Sequence, residues 1–156
     1  MKSNLTQIAV AVLAIALVAT PITSFAQATA PAKTAPNEAA IAGFGGYAGL
    51  MKINLDLVAR VKANALIGKL FADTDAPRLA GLLSDQFCEL LGGGCKYTGN
   101  DMRAAHQGMG IKTHHFNALA EELQRAMDAA GVSQSEQFRL IAKLAPMKRD
   151  INEKPE

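Results

Sequence analysis

Apolar residues recur along this chain at helical spacing. Leu50, Ile53, Leu57, Val58 and Val61 follow an i, i+3, i+4, i+7 pattern, which gathers them on one face of an α-helix. Leu79, Leu82, Leu83, Phe87, Leu90 and Leu91 repeat it, as do Phe116, Leu119, Ala120, Leu123 and Met127. Glu121, Glu122, Arg125 and Asp128 fall elsewhere on the turn of that third stripe, on the expected polar face. A last stripe runs through Phe138, Ile141, Leu144 and Ala145. No stretch alternates with period two for long enough to make a strand, so the fold class predicted is all-α, with four substantial helices and some short ones.

The punctuation between the stripes agrees. Gly45-Gly46 separates a short Ala-rich helix from the first long one. Asp75 is placed to cap the second, with Pro77 tolerated in its first turn. Gly92-Gly93-Gly94 stops it. Asn100 or Asp101 opens a short helix towards His106, which Gly108 and Gly110 break. Thr113 is the expected cap of the next helix, and Gly131 its end. Ser133 and Glu136 have the spacing of a capping box. Pro146 predicts a kink or an early end for the last helix. Two helix pairs packed face to face would bury the stripes, and the glycine clusters leave room between the pairs for a flat ligand.

Composition sets the limits of the domain. The chain has 156 residues, a net charge of +2, no Trp and only 5% aromatic residues. A core so poor in aromatics needs many aliphatic contacts or a bound apolar body. No block of Lys and Arg tracks along it, which argues against a nucleic-acid partner. Met1-Lys2, the apolar run Ile8–Ala19, Pro21 and Ser24-Phe25-Ala26 read as a secretory leader, residues 1–26, cleaved after Ala26. The run is about 12 residues, against the roughly 20 needed to span a bilayer. The expectation is an exported protein, periplasmic or extracellular, with no membrane attachment after cleavage. Residues 27–37, rich in Ala, Pro and Thr, read as a flexible linker, 38–150 as the folded domain and 151–156 as a disordered tail, with polar fraying from residue 148.

Few residues can carry chemistry. The three His are His106, His114 and His115. No C-x-x-C-H, H-E-x-x-H, G-x-S-x-G, Walker or G-x-G-x-x-G element occurs. His106 follows Met102 and Ala105 at the end of a short helix, where a neutral imidazole facing a cleft can bind iron. Of His114 and His115, one is expected to face solvent and the other to pack or cap. Cys88 and Cys95 bridge the end of the second long helix and the glycine loop. Export would allow them to oxidise, and the spacing leaves both a disulfide and two free thiols open.

The segment Y-T-G-N-D-M-R-A-A-H-Q-G-M-G-I-K-T-H-H-F, from Tyr97 to Phe116, resembles the group I truncated haemoglobins. In that family a Tyr-Thr-Gly turn leads to a Met, the proximal His, a Gly, an Ile and a His-Phe pair. Gly45-Gly46, Phe71, Leu91-Gly92-Gly93 and Leu144-Ala145-Pro146 match further family positions, so the resemblance covers about 45–150. It implies a two-over-two helical sandwich around haem b, with His106 as the iron ligand. It also implies a proximal and edge lining of Tyr97, Met102, Ala105, Met109, Ile111, Phe116, Leu119 and Leu144. Val58, Phe71, Leu79, Leu83 and Phe87 would line the distal side. Ordinary core packing fits the spacing of these apolar residues equally well.

One departure matters. Family members that hold oxygen tightly carry a Tyr on the first long helix and a Gln or His on the distal one. The matching positions here are Val58, Leu79, Leu82 and Leu83, with Gln86 the only nearby amide. Polarised oxygen gains from a hydrogen-bond donor in a dry pocket, and these side chains offer none. The reading is a protein that reversibly binds oxygen or another diatomic gas, CO or NO. The alternative is a nitric oxide dioxygenase or peroxidase-like enzyme, which would need a reductase and polar distal groups. A haem-free helical interaction module is the third possibility.

Overall fold

The first apolar stripe becomes the buried face of α1 (Gly46–Ala63), where Leu50, Ile53, Leu57, Val58 and Val61 are all buried. The computed structural model describes residues 36–152. The leader, the linker up to residue 35 and the tail from residue 153 lie outside the described residues. The other α-helices are α2 (Ala76–Leu90), α3 (Met102–His106), α4 (Thr113–Ala129), α5 (Gln134–Leu144) and α6 (Lys148–Ile151). Three 3₁₀ helices, Glu38–Phe44, Gly68–Phe71 and Ala145–Met147, join them, and there is no strand among the described residues.

Caps fix where the helices start. Asp75 accepts the Arg78 N–H at 3.0 Å and opens α2, with Pro77 in the first turn. Asp101 does the same for α3, accepting from Ala104 at 2.8 Å. Ser133 accepts from the Glu136 N–H, while the Glu136 carboxylate pairs with Arg139 instead of completing a capping box. At the start of α4 the cap is not Thr113, which is already the first helical residue. The imidazole of His115 reaches back and its Nδ1 accepts the Lys112 N–H at 3.2 Å.

The stop of α2 is a six-residue Schellman turn. The Gly93 N–H donates to the Cys88 carbonyl at 2.8 Å and the Gly92 N–H to that of Glu89 at 3.0 Å. Gly92 sits at φ 81°, a region open to Gly at little cost. Residues Val132 and Gly131 end α4 with the same pair of bonds, to Met127 and Asp128. Asn37, read as linker, docks onto the glycine loop. Its N–H donates to the Gly93 carbonyl at 2.8 Å and its side-chain amide to that of Gly92 at 3.1 Å.

Helix α1 packs against α2, against α4 and against the 3₁₀ helix Glu38–Phe44. Ile41, Leu50, Ile53, Leu57, Leu123, Met127 and Leu140 fill the core between them. Each such side chain contributes about 1.5–3 kcal/mol by leaving water. Three faces differ from the stripes. On α5 the buried residues are Gln137 and Leu140, and Phe138 is 60% exposed. The Gln137 amide binds Asp128 at 2.7 Å and the Val132 carbonyl at 3.0 Å, and those bonds turn the helix away from its apolar count. On α4 Glu122, expected on the polar face, is buried between Asn64 and Arg125, at 2.8 and 2.7 Å. On α2 the face against the core is Ala80, Ser84, Phe87, Cys88 and Leu91, while Leu79, Leu82 and Leu83 stay half-buried on its flank. Pro146 tightens the end of α5 into a 3₁₀ turn. The chain expected to fray from residue 148 continues as α6, which packs on α3.

Candidate functional site

Helix α3 is five residues long and ends on His106. Gln107 leaves the helix in an extended conformation, and Gly108 and Gly110 then take φ of 76° and 63°. The imidazole therefore stands at a helix end, half-buried. Its Nδ1 lies 2.6 Å from the carbonyl oxygen of Met102. A carbonyl only accepts, so Nδ1 carries the proton and Nε2 of the neutral ring keeps its lone pair for a metal. A cleft of about 390 Å³ opens beside the ring, lined among others by Arg103, Arg149, Asp150 and Ile151. Arg103 pairs with Asp150 at 3.0 Å, both largely exposed. Such a pair contributes little energy, but it links α3 to α6. Asn152, just past α6, donates to the Thr113 hydroxyl at 3.1 Å.

The expected lining residues divide by burial. Val58, Phe87 and Ile111 are buried, and Ala105 and Met109 are exposed. Phe71, Leu79, Leu83, Tyr97, Met102, Phe116, Leu119 and Leu144 are half-buried. Phe87 is part of the main core, and Phe71, Leu83, Leu119 and Leu144 pack against it. Val58 and Ile111 are buried outside that cluster. Phe116 lies under the Lys148 ammonium, 5.6 Å from the ring centroid. Tyr97 clasps its own turn, its hydroxyl donating to the Asn100 carbonyl at 2.9 Å. Burial and the nearby Asp101 raise the Tyr97 pKa. Of the other two His, His115 forms the α4 cap and His114 is exposed, their rings 4.1 Å apart edge to face.

Two polar features escaped the apolar count. Gln86 is buried, and its amide donates to the Met102 sulfur at 3.6 Å, so it reaches from α2 to α3. Asn54 interrupts the α1 stripe yet is 0% exposed, and its Nδ2 donates to the Ser84 hydroxyl at 3.0 Å. Ser84 passes its own proton to the Ala80 carbonyl at 2.7 Å. The signal was a polar residue between Ile53 and Leu57, on the stripe itself. Cys88 and Cys95 form a disulfide, with Cα atoms 5.6 Å apart. It ties the last turn of α2 to the loop that leads to α3.

A flat apolar cofactor with a central metal fits this donor set. His106 offers one oriented nitrogen, and a group of apolar side chains on α2, α3, α4 and α5 keeps part of its surface uncovered. Among the described residues no cluster of three or more His, Cys, Asp or Glu could hold a bare ion. The single His ligand is therefore suited to a metal that brings most of its own ligands.

The sequence model of the bacterial-like globins matches residues 42–153. A group 1 truncated hemoglobin of Mycolicibacterium paratuberculosis is 35% identical over 107 residues, 69% of this chain and 79% of that protein. The Fe(III) truncated hemoglobin of Tetrahymena pyriformis superposes with a TM-score of 0.69 at 24% identity, over 74% of this chain and 98% of that one. The cyanomet 2/2 hemoglobin of Synechococcus, with covalently attached heme, gives 0.67 at 24%, over 72% and 96%. The fold is the two-over-two helical sandwich of these structures.

Proposed function

The chain belongs to the bacterial-like globin family, in which haem binds gases, and we propose that it takes up a diatomic gas reversibly through iron held by His106. The observation that carries this reading is the Nδ1 bond to the Met102 carbonyl. It sets the tautomer and the ring angle before any metal arrives, as outer partners of metal-bound histidines do. When bound, haem would supply the iron that takes the gas. The chain would supply one nitrogen, from His106, and an apolar wall. Met102, Phe116, Leu119 and Leu144 are assigned to the His106 side. Val58, Phe71, Leu79, Leu83 and Phe87 are assigned to the gas side.

Oxygen, carbon monoxide and nitric oxide are all candidate ligands. The assigned gas-side residues are apolar, and Gln86 is engaged with a sulfur. That favours reversible binding over dioxygenation, which needs a reductase as well. We also assign the protein to the outside of the cytoplasm. The leader reading points there, and the Cys88–Cys95 disulfide supports it, because such bonds persist in oxidising compartments. N-terminal sequencing of the mature protein should then begin at Gln27.

The test is the optical spectrum. The parent protein should develop a Soret band on haem addition and bind carbon monoxide in the ferrous state. Protein that stays colourless with excess haem would leave only a helical interaction module.

A further inference from the structure

The chain that leads into α3 is tied to the last turns of α2. Cys88 is buried, and its disulfide partner Cys95 is half-buried. One residue beyond Cys88, the Glu89 carboxylate accepts the Tyr97 N–H at 3.3 Å. Two residues before it, the Gln86 amide reaches the Met102 sulfur at 3.6 Å. Among the described residues no backbone–backbone hydrogen bond reaches residues 95–100. The glycine loop before them is fixed separately, by its turn and by Asn37. A Cβ on Gly93 would stand 2.6 Å from the Cys88 sulfur, so bare backbone there lets the chain fold back over it. Helix α3 depends on this segment. Its five residues are too few to persist as an isolated helix. On its other side it packs on α6, where the Arg103–Asp150 pair is largely exposed and contributes little. The disulfide is the covalent tie, and the two contacts beside it are long.

We propose that the Cys88–Cys95 disulfide positions His106, by holding the chain that carries Met102 and its carbonyl, and that only the oxidised protein retains haem tightly. The inference rests on the assignment of His106 as the iron ligand. Opening the bond is thiol–disulfide exchange. One thiolate of a small dithiol attacks the half-buried Cys95 sulfur, and Cys88 leaves and takes a proton. The second thiol of the reductant then closes on the first. That frees the Cys95 thiol and leaves the reductant as a disulfide. With the bond open, Met102 keeps only the Gln86 contact to α2. The carbonyl that aims the imidazole is then no longer fixed. An exported chain acquires such a bond only after it leaves the cytoplasm, so tight haem loading follows export.

The experiment compares the haem-loaded parent with its disulfide intact and after reduction by a dithiol. In NMR spectra of the carbon-monoxide-bound protein, reduction should shift or broaden the resonances of residues 95–108 and weaken that of the His106 Nδ1 proton. Leu50, Leu123 and Met127 should keep theirs. Haem transfer to excess apomyoglobin should be about tenfold faster from the reduced parent, the lower end of what losing an outer partner of a metal ligand costs. The double variant Cys88→Ser, Cys95→Ser should match it. Leu140→Ala lowers stability through a core cavity but keeps the disulfide, and should lose haem at the parent's rate. Unchanged resonances at 95–108 overturn the proposal, as does equal haem loss from oxidised and reduced protein. Changes spread evenly over all helices also overturn it, and so does a Leu140→Ala variant as leaky as the reduced parent. Both would mark general loosening. If the double variant does not fold, the reduced parent decides. A parent that loads no haem, or a His106→Ala variant that retains it, overturns the ligand assignment itself, and either is visible before any reductant is added.

Discussion

His106 donates from Nδ1 to the carbonyl of Met102, four residues earlier, at 2.6 Å. Met102 also receives the Gln86 amide on its sulfur at 3.6 Å. One methionine thus links α2 to the histidine through its side chain and its backbone. If His106 is the axial ligand, His106→Ala should abolish stable haem binding, read as loss of the Soret band after gel filtration. His114→Ala and His115→Ala should keep it. A normal ferrous spectrum in the His106 variant would defeat the assignment.

Haem binding should stabilise the fold as a whole. A ligand that binds only the native state adds RT ln(1 + [L]/Kd), about 4 kcal/mol at a thousandfold excess over Kd. The half-buried side chains Leu79, Leu83, Phe116 and Leu119 are the surface to be covered. Thermal unfolding with and without haem checks this, and equal melting temperatures would contradict it.

The disulfide should matter to stability too. It closes a short loop from Cys88 to Cys95, and chain-entropy arguments give about 2–3 kcal/mol for a loop of that length. Cys88→Ser and Cys95→Ser should each lower stability by about that much in denaturant titration. A reducing agent should lower the parent to the same level and leave the variants unmoved. Thiol labelling of the parent, purified without reductant, should find no free cysteine.

Much of the fold was legible because helix ends are written in local chemistry. Asp75, Asp101, Gly92 and Gly131 act where their side chains or their φ predicted. The failures share one cause. Gln137, Glu122, Asn54 and Ser84 are polar yet buried, each satisfied at least in part by a partner distant in sequence or on another helix turn. Hydrophobic periodicity counts such residues as surface, so it rotated α5 towards Phe138 and missed the inner face of α2. His106 was legible only through the long Tyr97–Phe116 motif, because a lone His at a helix end has many ordinary uses. The direction of Gln86 could not be read at all, since it depends on where α3 packs.

Acid should loosen the start of α4. The His115 Nδ1 accepts the Lys112 N–H, so it must be unprotonated. Desolvation, then the neighbouring His114 and Lys112, hold its pKa below the usual 6.5. A positive ring at a helix N-terminus is disfavoured as well. The folded state therefore binds this proton less readily than the unfolded chain. Its stabilising share is complete above 6.5 and is lost as pH falls through the lowered folded-state value. An NMR titration should give His115 the lower value relative to a model histidine. Amide exchange at Lys112 should accelerate over the same range, and His115→Ala should remove that pH dependence. A His115 that titrates at or above 6.5 would refute the cap.

The gas pocket provides the most discriminating prediction, because it ranks four proteins. Val58 is buried on α1, and Leu79 and Leu83 share one flank of α2, four residues apart. None of them donates a hydrogen bond. A direct donor to a strongly polarised acceptor is typically worth about 1.5–3 kcal/mol, which is roughly ten- to a hundredfold in rate at about 1.4 kcal/mol per tenfold. Val58→Tyr should therefore slow oxygen release by about that factor, if the ring is accepted. Overpacking a filled site costs about 1–3 kcal/mol, so Leu83→Gln, at a half-buried position, is the safer donor variant and should act in the same direction. The parent, with no donor among these residues, should release oxygen faster than either. Gln86→Leu should match the parent, since that amide is directed at the Met102 sulfur on α3. Carbon monoxide, being less polarised, should show a smaller spread across the series. Stopped-flow replacement of oxygen by carbon monoxide measures all of these rates. A parent slower than Val58→Tyr and Leu83→Gln, or a Gln86→Leu variant faster than the parent, would mean that a donor already faces the gas. The apolar pocket would then be the wrong description, and the dioxygenase alternative would regain its case.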